Sequence, residues 1–123
     1  MKDQRTVLGR AGEKIAEDYL IEEGYEILHR RYRGGRKEID LIARKERTIV
    51  FVEVKTDTSG HFGPPETWVT PRKQKAIVRA AQAFVAGACS AENNYRFDVV
   101  GVLLHKSKPP ELRHIRGAFV AEV

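Results

Sequence analysis

The segment from Thr48 to Lys55, TIVFVEVK, does more than any other to limit the folds open to this chain. From Ile49 to Val52 it is wholly apolar, and charge enters only at its end, with Glu53 and Lys55. β-Branched and aromatic residues lose freedom in helices and suit a pleated surface, so this is a strand. Alternation puts Val50, Val52 and Val54 on one face and Ile49, Phe51, Glu53 and Lys55 on the other. Upstream, Glu38 to Arg44 alternates as well, with Ile39, Leu41 and Ala43 on one face and Glu38, Asp40 and Ile42 on the other. The polar connection Lys45-Glu46-Arg47 is so short that the two strands must form an antiparallel hairpin.

The remaining elements follow from periodicity and punctuation. Val7 to Glu23 has helical spacing, with Leu8, Gly12, Ile15, Ala16 and Tyr19 on one side and Arg10, Lys14, Glu17 and Asp18 facing away. Gly24 suits the left-handed end of that helix. Tyr25 to Tyr32 reads as a strand, and Gly34-Gly35 as a turn. The stretch from Thr56 to Val69, with Gly60, Gly63, Pro64 and Pro65, is a loop directly after the charged strand end. Thr70-Pro71 makes an N-cap and first-turn pair for a helix to about Ala88, whose core stripe is Ile77, Ala80, Ala81, Phe84 and Ala88. Tyr95 to Leu104 is a further strand, Lys106 to Pro110 a turn, and a short last strand begins near Glu111. The order is α-β-β-β-α-β with an added strand, an α/β domain whose central mixed sheet is flanked by helices.

Composition narrows the partners. No apolar run approaches the ~20 residues of a membrane span, the N-terminus does not read as a secretory segment, and the only cysteine, Cys89, has no intramolecular partner. A cytoplasmic protein is the expectation. Lys and Arg number 22 against 17 Asp and Glu. The excess is gathered in HRRYRGGRK, His29 to Lys37, which contains Arg30, Arg31, Arg33, Arg36 and Lys37, and again at Arg72, Lys73, Lys75 and Arg79. Each cluster is open to two accounts, a solvated face or a surface for nucleic-acid phosphates.

The hairpin carries a chemistry. Phosphodiester hydrolysis needs an activated water and cover for charge on the phosphate oxygens. Magnesium held by one or two carboxylates, with water positions left open, serves both needs. Glu53 and Lys55 share a face because they are two apart on one strand. A hairpin centred near Lys45 and Glu46 sets Asp40 opposite Phe51, diagonal to Glu53 and within reach of the same ion. A slip of one residue turns Asp40 away. On spacing alone, a strand face with scattered charges remains the other account.

The blocks GRAGEKIAEDYL at Gly9–Leu20, EIDLIA at Glu38–Ala43, FVEVKT at Phe51–Thr56, His61-Phe62-Gly63, the lysine-bearing helix around Lys73 and RFDVVGV at Arg96–Val102 come in that order. Together they resemble the PD-(D/E)xK nuclease superfamily and, more specifically, the YraN family of bacterial proteins, related to archaeal Holliday-junction resolvases. The resemblance covers nearly the whole chain. It implies a restriction-endonuclease-like fold, with residues 1–123 forming a single nuclease-like domain. It also implies a metal-dependent DNA endonuclease acting on branched or structured DNA in repair or recombination. Glu13 on the first helix would join Asp40 and Glu53 around one or two Mg²⁺ (or Mn²⁺) ions, the Val54 carbonyl would add a backbone ligand, and Lys55 would orient water or stabilise charge. Glu38 matches the motif as an outer metal contact or an ion-pair partner. Arg30, Arg31, Arg33, Arg36, Lys37, Arg72, Lys73 and Lys75 would contact the DNA backbone, with His61 at the substrate. Resolvases cut two strands symmetrically, so the same analogy implies a homodimer.

Three positions depart from the family's pattern: Lys37 stands where glycine is common, Arg31 where asparagine is, and Asp57 where arginine is. The last sets an acidic group near an approaching phosphate. A nucleic-acid-binding module without turnover, and a scaffold for a repair protein, are the competing functions. Elsewhere, His29, His61, His105 and His114 lack the spacing of a zinc site. Asp98 is expected to pair with an arginine, and Trp68 either packs or stacks on a base.

Overall fold

A computed structural model describes residues 4–88 and 94–123. In chain order its elements are α1 (Gln4–Glu22), β1 (Glu26–Gly34), β2 (Lys37–Lys45), β3 (Thr48–Asp57), α2 (Pro71–Ala88), β4 (Asn94–Leu103) and β5 (Glu111–Phe119), with a 3₁₀ turn at Pro65–Thr67. The strands form one sheet in the order β1-β2-β3-β4-β5. Only β3 and β4 are parallel, joined by the crossover that contains α2; the other pairs are antiparallel. This is the α/β arrangement that the motif order implied, a mixed sheet flanked by helices, with the extra strand present as β5. Cys89 and the Ala88 side chain lie outside the described residues.

Local chemistry sets the element ends. Gly24, at φ +92°, donates its N–H to the Ile21 carbonyl as α1 closes. The Thr70 hydroxyl accepts the Lys73 N–H at 3.2 Å and caps α2. Both faces of the sheet are covered. Leu41, Ala43, Val50, Val52, Val100 and Val102 pack with Ala16 and Leu20 of α1. Ile39, Ile42, Ile49, Phe51, Phe97 and Val99 pack with Ile77, Ala80, Ala81 and Phe84 of α2. Trp68 joins this second cluster and donates its indole N–H to the Phe62 carbonyl at 3.2 Å. Its ring therefore packs and is not offered to a base.

α1 lies unusually close to β3. A methyl group built on Gly12 would sit 2.0 Å from Thr56 Oγ1 and 3.0 Å from Thr56 Cβ, so the threonine would have to shift to admit it. Gly12→Ala should cost about 1–3 kcal/mol by overpacking, against a helix-propensity gain of about 1 kcal/mol. Gly9→Ala, whose methyl meets nothing within 4 Å, keeps only the gain. Urea unfolding followed by Trp68 fluorescence separates the two, and Thr56→Ala should recover much of the loss in the double variant. Equal stability of the two alanine variants would refute the close approach.

Candidate active site

β2 and β3 are paired from Lys45↔Thr48 to Leu41↔Val52, and there the ladder stops. The loop is Glu46-Arg47, so Phe51 lies opposite Ile42 and not, as a hairpin centred one residue earlier requires, opposite Asp40. The difference is two residues along the partner strand, which preserves side-chain parity. Asp40 thus stays on the side of Glu53, at the point where the strands part.

Parity does break inside β2. Ile39 and Ile42 both pack under α2, whereas Leu41 and Ala43 pack under α1, so simple alternation fails across Asp40. Ile39 does not share the face of Leu41 and Ala43, and Glu38 does not follow Asp40. Glu38 instead approaches Arg33, its direct partner in β1, at 3.9 Å. The adjoining strand is irregular too, since Arg31 has φ 48°. Asparagine visits that left-handed region far more readily than arginine, so Arg31 holds a backbone conformation unusual for its residue type.

The parting of the strands leaves a backbone donor on β3 that a carboxylate captures. The Val54 N–H donates to Asp40 Oδ2 at 2.7 Å. The Asp40 carboxyl is pushed up from 3.8 to about 8: burial is the main cause and the nearby Glu53 charge the next, with the Val54 hydrogen bond opposing them. Glu53 has a side chain only 11% exposed. Its Oε2 faces Lys37 Nζ at 3.5 Å and Lys73 Nζ at 4.0 Å, while Oε1 is buried with no hydrogen-bond partner. A buried carboxylate oxygen without a donor is costly, and a second carboxylate beside it adds repulsion. A hard divalent cation would relieve both, so the donor set fits one.

Glu13 stands on α1 at the margin of this pair. Arg31 Nη1 lies 3.4 Å from its Oε1. Burial raises the Glu13 pKa, Arg31 opposes the rise, and the Glu38 charge adds to it. Glu13 also adds to the rise at Asp40, so the three carboxylates share a field. They do not close into one cage: among the described residues no three His, Cys, Asp or Glu side chains are grouped so as to hold a metal ion. Lys55 lies two residues beyond Glu53 on the same strand face and borders a hollow with Leu8, Gly9, Val54, Thr56 and Thr58.

The basic residues divide. Lys73 turns toward Glu53, and Lys37 reaches the same oxygen. Lys75, about 200° around the helix from Lys73, faces Phe119 and Val120, away from the site. Arg36 is exposed and shares a hollow with Lys37 and Arg79. The Arg30 guanidinium binds both carboxylate oxygens of Glu17. Glu17 is accordingly buried at 6% exposure rather than facing away, a contact its charged helical neighbourhood gave no sign of. Arg33 and Arg72 are exposed, as is His61. Asp57 accepts the Ser59 N–H at 2.6 Å, and hydrogen bonding from Ser59 holds its carboxyl below the usual range, so this acid serves the turn that begins the loop.

Asp98 pairs with an arginine, as expected, but within a larger network. Arg96 donates to both of its oxygens at 2.8 Å, His114 Nε2 lies 2.7 Å away, and the Gly117 N–H donates at 3.0 Å. Tyr19 from α1 meets His114 Nδ1 at 2.9 Å, and Tyr25 accepts from Arg96 at 2.9 Å. The spacing of the histidines gave no hint of this role for His114, because its partners come from β4 and α1.

An α/β domain whose five-stranded mixed sheet carries two carboxylates and a lysine where two strands diverge is the class that this fold and site define. The sequence profile described as "Uncharacterised protein family UPF0102" matches residues 12–102. A UPF0102 protein of Chlorobium phaeobacteroides strain BS1 is 47% identical over 118 residues, covering 92% of this chain and 94% of its own. One from Geobacter metallireducens is 45% identical over 112 residues, covering 91% of each chain. The chain belongs to the UPF0102 (YraN) family. Among solved structures, Pyrococcus furiosus SfsA in complex with Ca²⁺ is similar at a TM-score of 0.38 and 18% identity, over 94% of this chain and 64% of that one. No helix among the described residues is long and apolar enough to cross a membrane.

Proposed function

We propose that this chain is a metal-dependent DNA endonuclease, a single nuclease-like domain acting in the cytoplasm on branched or structured DNA during repair or recombination. The observation that carries the reading is the pair Asp40 and Glu53, close enough for the Glu53 charge to raise the Asp40 pKa, with one Glu53 oxygen buried and unpartnered. Asp40 and Glu53 would hold Mg²⁺ (or Mn²⁺), with the Val54 carbonyl as a further oxygen donor and Glu13 reaching the ion directly or through water. Such an ion supplies Lewis-acid polarisation of the phosphate and a bound water of lowered pKa. Lys55, in this reading, steadies the attacking water or the charge that develops on phosphate. Lys73, Arg36 and Arg33 would follow the DNA backbone, and a homodimer would present two such sites to two strands.

The experiment is cleavage of duplex, single-stranded, flapped and four-way DNA with Mg²⁺, with Mn²⁺ and in EDTA, by the wild type and Lys55→Ala. Metal-dependent cleavage that falls by roughly 10²–10³-fold in the variant, with DNA binding retained, is the expected result. A binding module without turnover is the second reading, favoured by the two lysines already at Glu53 and the lack of a three-group metal cluster among the described residues. It predicts no cleavage of any substrate, and equal DNA binding by wild type and Asp40→Ala.

A further inference from the structure

The two oxygens of Glu53 live in unlike surroundings. Oε1 is buried and unpartnered, while Oε2 is held between two ammonium groups. Of these, Lys37 is the nearer, at 3.5 Å against 4.0 Å, and the less exposed, at 24% against 53%. It is the first residue of β2, opposite Gly34 at the end of the β1 ladder, with solvent available to it on the turn side. Holding a long side chain in one place costs rotamer entropy, so its stay at a carboxylate needs an electrostatic cause. That cause is the acidic pair Asp40 and Glu53, from which Lys73 stands farther off and more exposed.

We propose that Lys37 is an exchangeable counter-ion: it occupies Glu53 in the metal-free protein, competes with the divalent cation for that carboxylate, and turns to substrate phosphate when the cation binds. This rests on the reading of Asp40 and Glu53 as a metal pair and adds a regulation of it. An ammonium at Glu53 Oε2 repels a divalent cation drawn to the same oxygen, so Lys37 weakens metal binding there and a bound metal loosens the hold on Lys37. A phosphate that attracts Lys37 frees Glu53, so DNA and metal each raise the other's affinity. A glycine at this position would leave Glu53 open and remove the coupling.

The test is Mn²⁺ titration, by calorimetry and by the electron-spin signal of free Mn²⁺, of EDTA-stripped wild type, Lys37→Gln, Lys37→Gly and Lys108→Gln. The last removes the same charge from the exposed connection 104–110. Lys37→Gln and Lys37→Gly should bind Mn²⁺ roughly tenfold more tightly than wild type, and Lys108→Gln within about twofold of it. Using two variants guards against a fold weakened by glycine in a strand. DNA binding gives the second readout: the salt dependence of the Lys37 variants should fall by about one counter-ion when Mn²⁺ is present and much less in EDTA. Unchanged or weaker Mn²⁺ binding by both Lys37 variants overturns the counter-ion role while leaving the metal pair standing. No Mn²⁺ binding by the wild type or any variant overturns the metal pair, and the counter-ion role with it.

Discussion

Asp40→Asn is expected to abolish metal-dependent cleavage and, in EDTA, to make the protein more stable than wild type at alkaline pH. The two effects have one cause. The Asp40 carboxyl rises from 3.8 to about 8 because burial and the Glu53 charge disfavour its anion. For a carboxyl whose folded pKa is raised, the folded state binds more protons than the unfolded chain, so stability falls as pH rises. The loss begins near the unfolded pKa of about 4, continues to about 8, and is complete above that. Asparagine carries no charge and its amide oxygen can still accept the Val54 N–H, so the variant escapes the loss. The gap should open between pH 5 and 9 and reach on the order of 2–3 kcal/mol, a discounted value for a partly exposed group beside another carboxylate.

Added Mg²⁺ should reverse the ranking, because a ligand that binds only the folded wild type stabilises it by mass action. Metal affinity itself should rise with pH up to about 8, since the proton and the cation compete for Asp40. Losing the metal-supplied share of transition-state stabilisation, several kcal/mol, corresponds to a cleavage loss of roughly 10³-fold or more. The check is urea unfolding at pH 5, 7 and 9, with EDTA and with Mg²⁺, beside a cleavage assay. A variant that is less stable than wild type at pH 9 in EDTA, or that still cuts DNA, would refute the paired-carboxylate account.

The largest loss of stability should come from a residue that takes no part in the proposed chemistry. Asp98→Ala leaves Arg96, His114 and the Gly117 N–H facing a void, since all of them converge on its carboxylate. Removing one partner of a buried charge network costs about 3–5 kcal/mol, a large part of the stability of an ordinary domain. The damage should centre on β5, because His114 and Gly117 bind that strand to β4 at the register shift between Phe97 and Val99. Burial by itself pushes the Asp98 carboxyl up, but the bonds from His114, Arg96 and Gly117 prevail and hold it below its ordinary value of 3.8. A depressed carboxyl stabilises the fold above its unfolded pKa, so this contribution is present at neutral pH and disappears as pH drops below about 4 through the folded pKa. Asp98→Asn should be milder than alanine, keeping some donor contacts without the charge. Hydrogen exchange of β5 amides together with urea unfolding tests this, and a loss under about 1 kcal/mol for the alanine variant would show that the network contributes little.

How much of this was legible beforehand varies residue by residue. TIVFVEVK dictates a strand with Glu53 and Lys55 on one face, since β-branched composition and two-residue parity are local properties. The short polar connection dictates the hairpin, and Gly24 and Thr70-Pro71 dictate the helix ends. The sequence predicts a register two residues short, yet Asp40 still lies beside Glu53, because a two-residue difference preserves the parity of the pairing. Only the tertiary structure settled the break in alternation at Asp40, the burial of Glu17 against Arg30, the reach of Lys37 to Glu53, and the gathering of Tyr19, Arg96 and His114 around Asp98. These contacts join residues that are distant in sequence or lie on different elements. Their energy depends on burial and on which charges the packed layers bring together, and a one-dimensional pattern of residues does not contain that.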